Sequence, residues 1–227
     1  MYSRNISKKD QTKDFDNLKS DYFLRKLFDI LKENKSLSII KYNKKLQKRL
    51  NISIDNYKEC SKIEIELKLA DYRYDGKFIS LLDEEKEYYH IYFDNSKEEI
   101  KRNKLDYNEE VKKIKIIIDY QVKSFKELFG YCYCVGSIIF KKFYRNNITD
   151  MSYMFKECSS LKELNLSNIN TNKVTDMSNM FYGCFSLKEL NLSNFNTNKV
   201  INMNYMFYEC SDELKNKIKE QNKNILI

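Results

Sequence analysis

The sequence predicts an α/β solenoid, with parallel strands along one face and helices along the other, preceded by a small β-rich cap and an N-terminal helical segment. Three observations predict it. Met151, Phe155 and Cys158 recur as Met177, Phe181 and Cys184 and again as Met203, Phe207 and Cys210, at a constant step of 26. Residues 148–173 and 174–199 are identical at 20 of 26 positions. Within each copy, an apolar pattern of helical spacing gives way to one of period two. Self-similarity at 20–50 residues is the mark of stacked repeat architectures.

The elements follow in chain order. Residues 1–20 read as a polar tail. In 21–50, Leu24, Leu27, Phe28 and Leu31 form one helical stripe, and Leu37, Ile40 and Leu46 belong to a second, with "ENKS" as the joint. Residues 51–121 read as a β-rich N-terminal cap. Ile63, Ile65, Leu67 and Leu69 alternate through "KIEIELKL", and Tyr89, Ile91 and Phe93 through "YYHIYF", with "DNSK" as a turn into "EEIKR". Open sheet edges need such covering.

Residues 122–210 carry the repeats. Val174, Met177, Met180, Phe181, Cys184 and Leu187 step by three, three, one, three and three, a helical stripe. Asp150 and Asp176 sit early in this segment, where a carboxylate suits a helix N-terminus. Leu164-Asn165-Leu166 then alternates as a short strand, and "SNINTNK" follows as a loop. One further copy lies upstream in disguise: Val122, Phe125, Leu128, Phe129 and Cys132 take the slots of Ile148, Met151, Met154, Phe155 and Cys158. Residues 211–227 read as a C-terminal helix closing the stack.

The pattern Leu161-x-x-Leu164-x-Leu166, repeated at Leu187, Leu190 and Leu192, resembles a leucine-rich repeat. Joined to "VTDMSNMF…C", it looks like the BspA-like leucine-rich-repeat family of bacterial surface proteins and protist expansions. The resemblance covers about residues 122–210 and implies a protein-binding, non-enzymatic role. This sequence departs from the common repeat in having Ile169 and Phe195 where an Asn is usual, so neighbours such as Asn168 and Asn194 would have to bond the loops.

Composition bounds the chemistry. With 42% hydrophobic and 14% aromatic residues, the chain of 227 can bury a real core. With 4 glycines there is no glycine-rich phosphate loop. The single His90 lies in an alternating strand and has no second His to complete a nucleophilic pair. Cys158, Cys184 and Cys210 read as a ladder of small buried hydrophobes. Cys132-x-Cys134 lacks the C-x₂₋₄-C spacing of zinc sites. No catalytic residue, metal or cofactor is expected.

The net charge of +8 is concentrated in residues 1–60, where 15 Lys and Arg face 8 Asp and Glu. Acidic residues mixed among the lysines favour a solvated helical face over a nucleic-acid footprint. The N-terminus has no apolar core of a signal peptide, and no stretch is long and apolar enough to span a membrane. A cytoplasmic location is the expectation, with surface placement implied by the resemblance alone.

The function read from this is protein–protein interaction through a concave face. Its outward strand positions are Ser137 and Ile139, then Glu163, Asn165 and Ser167, then Glu189, Asn191 and Ser193. The partner expected is a protein of unknown identity; neither nucleic acid nor a small-molecule substrate is expected. Two alternatives stand beside it: an F-box-like adaptor using residues 21–50, and a weak nucleic-acid binder using the basic N-terminal segment.

Overall fold

The structure is a computed structural model that describes residues 19–22, 24–25, 37, 40, 43–70, 76–107, 109–221 and 225. The polar tail at 1–18 and most of the first helical stripe, including Leu27, Phe28 and Leu31, lie outside the described residues. The chain divides into two compact units, Met1–Ser61 and Lys62–Ile227.

In the first unit, helix α1 (Lys44–Leu50) opens on Asn43, whose side chain accepts from the Leu46 N–H, and closes on Asn51 in the left-handed conformation. Helix α2 (Ile54–Cys60) opens on a capping box between Ser53 and Asn56. It falls in residues assigned above to the β-rich cap. Leu24, Leu37, Ile40, Leu46, Leu50 and Cys60 form the unit's own core.

The second unit is built on a sheet. Its strands are β1 (Ile63–Leu69), β3 (Tyr89–Phe93), β5 (Lys113–Ile118), β6 (Val135–Lys142) and β7 (Glu163–Asn165), in the order β3-β5-β1-β6-β7. A two-residue pair, β2 (Gly76–Lys77) with β4 (Lys104–Leu105), lies apart from it. All pairings in the large sheet are antiparallel except β6 with β7. Side chains alternate across a sheet, so Ile63, Ile65, Leu67, Ile114, Ile116, Ile118, Ile138 and Phe140 enter the core together.

This corrects the fold class. The second unit is a mixed-sheet domain with few helices, and the expected solenoid of parallel strands and helices is not its architecture. The strands read above as a separate cap share one sheet with the repeats. The stripe spaced by three is no helix either. In each copy the N–H groups of alternate residues close four-residue turns, in the first copy Leu128 to Phe125 O, Gly130 to Glu127 O and Cys132 to Phe129 O, at 2.9–3.2 Å. The N–H groups between them donate to the next copy. Phe125, Glu127, Phe129 and Tyr131 donate to the carbonyls of Asp150, Ser152, Met154 and Lys156 at 2.7–3.0 Å. Met151, Tyr153, Phe155 and Glu157 donate likewise to Asp176, Ser178, Met180 and Tyr182, and Met177, Asn179, Phe181 and Gly183 to Asn202, Asn204, Met206 and Tyr208.

An α-helix would send each N–H back four residues along its own chain; here half leave the copy altogether. The left-handed residues are what divert them. Glu127, Tyr153, Asn179 and Tyr205 occupy one slot with φ of 54–59°, and Tyr131, Glu157, Gly183 and Glu209 a second with φ of 58–70°. Asp150 and Asp176 keep the N-terminal chemistry predicted for them without the helix: each Oδ1 accepts from the N–H and hydroxyl of the Ser two residues on, at 2.6–2.8 Å.

The turn halves pack their side chains in files. Phe129, Phe155, Phe181 and Phe207 stack with centroids 5.7, 5.5 and 5.2 Å apart. In the loops Asn168 donates to Phe140 O at 3.1 Å and Asn194 to Ser167 O at 3.0 Å, each reaching back one copy. Helix α3 (Asp212–Gln221) buries Leu214 and Ile218, and its Lys217 reaches Lys188 O at 3.4 Å and Glu189 Oε1 at 3.3 Å.

Candidate protein-binding face

Residues paired directly across strands point to the same side of a sheet. The registers therefore set out rows on the outer side: Tyr92, Lys115, Glu66, Ile139 and Asn165 form one, and Lys113, Lys68, Ser137 and Glu163 the next. The structure brings Ser137, Ile139, Glu163 and Asn165 together on β6 and β7. It also adds residues that the sequence reasoning did not attach to this face, because pairing between segments far apart in the chain leaves no local signal.

The face has two characters. Around the front strands several charges engage one another: Lys113 on β5 and Lys141 on β6 both lie 3.6 Å from Glu66, and Lys115 lies 3.3 Å from Glu64, while Lys68 is exposed. On the repeat side they are more open. Glu163 is exposed and has no partner among the described residues. The exposed Asn165 and Asn191 accept from the N–H groups of Ser167 and Ser193, which are exposed as well. Glu189 is exposed and paired with Lys217. Ser137 departs from expectation: it is 5% exposed, and its hydroxyl has no partner among the described residues.

His90 lies between two carboxylates, Nδ1 3.0 Å from Glu99 Oε1 and Nε2 3.4 Å from Asp119 Oδ2. Asp119 also approaches Lys62 at 3.8 Å, and its backbone carbonyl accepts from the buried Arg145. The cysteines do more than fill space. Cys158 Sγ donates to Phe129 O at 2.9 Å, Cys184 to Phe155 O and Cys210 to Phe181 O at 3.0 Å. Burial pushes the Cys158 thiol up to about 12 and the Cys134 and Cys210 thiols up to about 11. Among the described residues no three His, Cys, Asp or Glu side chains converge as metal ligands would.

A second surface feature escaped the sequence reading. Lys156 Nζ sits 5.2–5.5 Å from the ring centres of Tyr131, Tyr153 and Tyr182, and Tyr208 stacks on Tyr182 at 5.3 Å. The signal was present: Tyr153 and Tyr205 share one slot of the repeat, and Tyr182 and Tyr208 another.

A family model described as "Mycoplasma protein of unknown function, DUF285" matches residues 119–225, from the end of β5 through the copies and beyond α3. No curated protein matches the chain, and no solved structure does. Among the described residues no helix is long and apolar enough to cross a membrane.

Proposed function

We propose that this chain is a non-enzymatic protein-interaction protein, akin in its repeat motif to the BspA-like proteins, that works in the cytoplasm through the outer side of its sheet. The observation that carries the reading is the division of that face. Toward the front most of its charges pair with one another, while its repeat half offers Glu163 and Asn165 on β7, and Asn191 in the copy after it, to solvent. Polar groups held on a rigid sheet suit recognition of another protein. Six buried, unbridged cysteines support a reducing compartment.

The test is affinity capture from source cells with the native chain and with a variant carrying Glu163→Ala, Asn165→Ala, Glu189→Ala and Asn191→Ala. A protein recovered by the native chain should be lost by the variant. The thermal midpoint should barely move, because exposed substitutions cost within about 0.5 kcal/mol each. Equal recovery by both would refute this face as the site.

A further inference from the structure

The copy at 200–210 repeats the turn half and is followed directly by helix α3 rather than by another turn half. Tyr205 and Glu209 hold φ of 57° and 59°, the left-handed values of the copies before them, so the ribbon keeps its donating form. By the ladder's rule its outgoing N–H groups are those of Met203, Tyr205, Phe207 and Glu209. Among the described residues none of the four has an acceptor. Side chains along this edge are open too: Ile201 is 88% and Tyr205 64% exposed, and Met203 is half-buried where Met151 and Met177 are fully buried. Helix α3 lies against the strand half of the preceding copy, where Lys217 meets Lys188 and Glu189.

We propose that this edge binds a segment of another protein bearing the same turn motif, Asp/Asn-Met-x-x-Met-Phe-x-x-Cys, whose alternate carbonyls accept the four N–H groups. Three interfaces inside the chain already show this arrangement, and they define what fits: a parallel ribbon in register, with Met and Phe covering Met203 and Phe207. A second intact copy of this chain does not fit. The carbonyls of its later copies are taken by the N–H groups of the copies before them, and Leu128 O of its first copy is taken by the Ser80 N–H at 2.7 Å. The edge therefore selects a different polypeptide with a free carbonyl side and forms a complex that does not propagate. It is a surface other than the outer side of the sheet and does not rest on that reading.

The probe is a fluorescein-labelled synthetic peptide with the sequence of residues 174–186, VTDMSNMFYGCFS, titrated under reducing conditions into the full chain. Saturable one-to-one binding is expected, with the amide resonances of Met203, Tyr205, Phe207 and Glu209 moving as the peptide is added. Ile201→Asp with Tyr205→Asp should weaken binding by about tenfold or more, the scale of losing central interface contacts. Glu163→Ala with Asn165→Ala on the sheet should leave binding unchanged. The proposal is overturned if the peptide does not bind saturably, if a scrambled peptide binds equally, or if the sheet variant and not the edge variant weakens binding.

Discussion

The turn halves at 122–134 and 148–160 share only Phe129 with Phe155 and Cys132 with Cys158, yet make the same turns and the same ladder. The strand halves at 161–168 and 187–194 share all of "LKELNLSN" and differ: the first forms β7, while the second forms no strand. Divergent sequence gives one structure, and identical sequence gives two. The turn half is closed by its own turns and carries its partner's register in its two left-handed slots, so few side chains define it. Among the described residues a strand half has no backbone-to-backbone bonds of its own, and it takes its form from its neighbour. Residues 163–165 lie beside β6, a long strand already paired with β1. Residues 189–191 have only β7 to follow, and among the described residues the N–H groups of Lys188 and Leu190 have no acceptor.

The largest effect should come from breaking the file of rings. Phe155 is fully buried between Phe129 and Phe181. Phe155→Ala should cost about 3–5 kcal/mol in urea denaturation, because it leaves a cavity that rigid turns cannot close. Leu190→Ala, in the strand half without a ladder, should cost clearly less. Equal losses would erase the distinction between the halves.

A smaller effect should come from the thiols. Cys184→Ala removes both volume and a donor, for about 1–2 kcal/mol. Cys184→Ser should cost no more than that, since its hydroxyl can still donate to Phe155 O; a markedly costlier Ser would mean that the thiol only fills space. The same groups set an alkaline limit. Their folded values, up to about 12 for Cys158 and about 11 for Cys210, lie above the 9.0 of a free thiol. The neutral form is thus favoured by folding, and its contribution is complete below about pH 9 and lost as pH rises through 11 to 12. Tyr89, also raised by burial, acts in the same direction. The urea midpoint should fall between about pH 8 and about pH 11, either side of the ordinary thiol value, and fall less in Cys158→Ala.

Much of the repeat was legible. The period, the buried slots and the disguised first copy follow from spacing, and Val122, Phe125, Phe129 and Cys132 are buried as their slots require. The loop asparagines bond as the departure from the common motif required. The secondary structure of the turn half was not legible. A step of three suits a helix stripe and also a series of turns closed by i to i+3 bonds, and nothing in Glu127 or Tyr153 announces a left-handed residue. The shared sheet was hidden for another reason: β1 pairs with β5 and β6 across long stretches of chain, and alternation says which side a residue faces but not which strand it meets. Of the candidate face, the positions on β6 and β7 were legible from alternation; the flanking Glu64, Glu66 and Lys115 were not.

The most direct test of neighbour-directed structure is amide hydrogen exchange in the two identical segments. The Lys162 N–H donates to Gly136 O at 2.8 Å, and the N–H of its twin Lys188 has no acceptor among the described residues. The account predicts slow exchange at Phe155, Phe181 and Lys162, and exchange at Lys188 and Leu190 faster by orders of magnitude, as for unbonded amides. Lys188 protected as well as Lys162, or Phe181 exchanging as fast as Lys188, would contradict it.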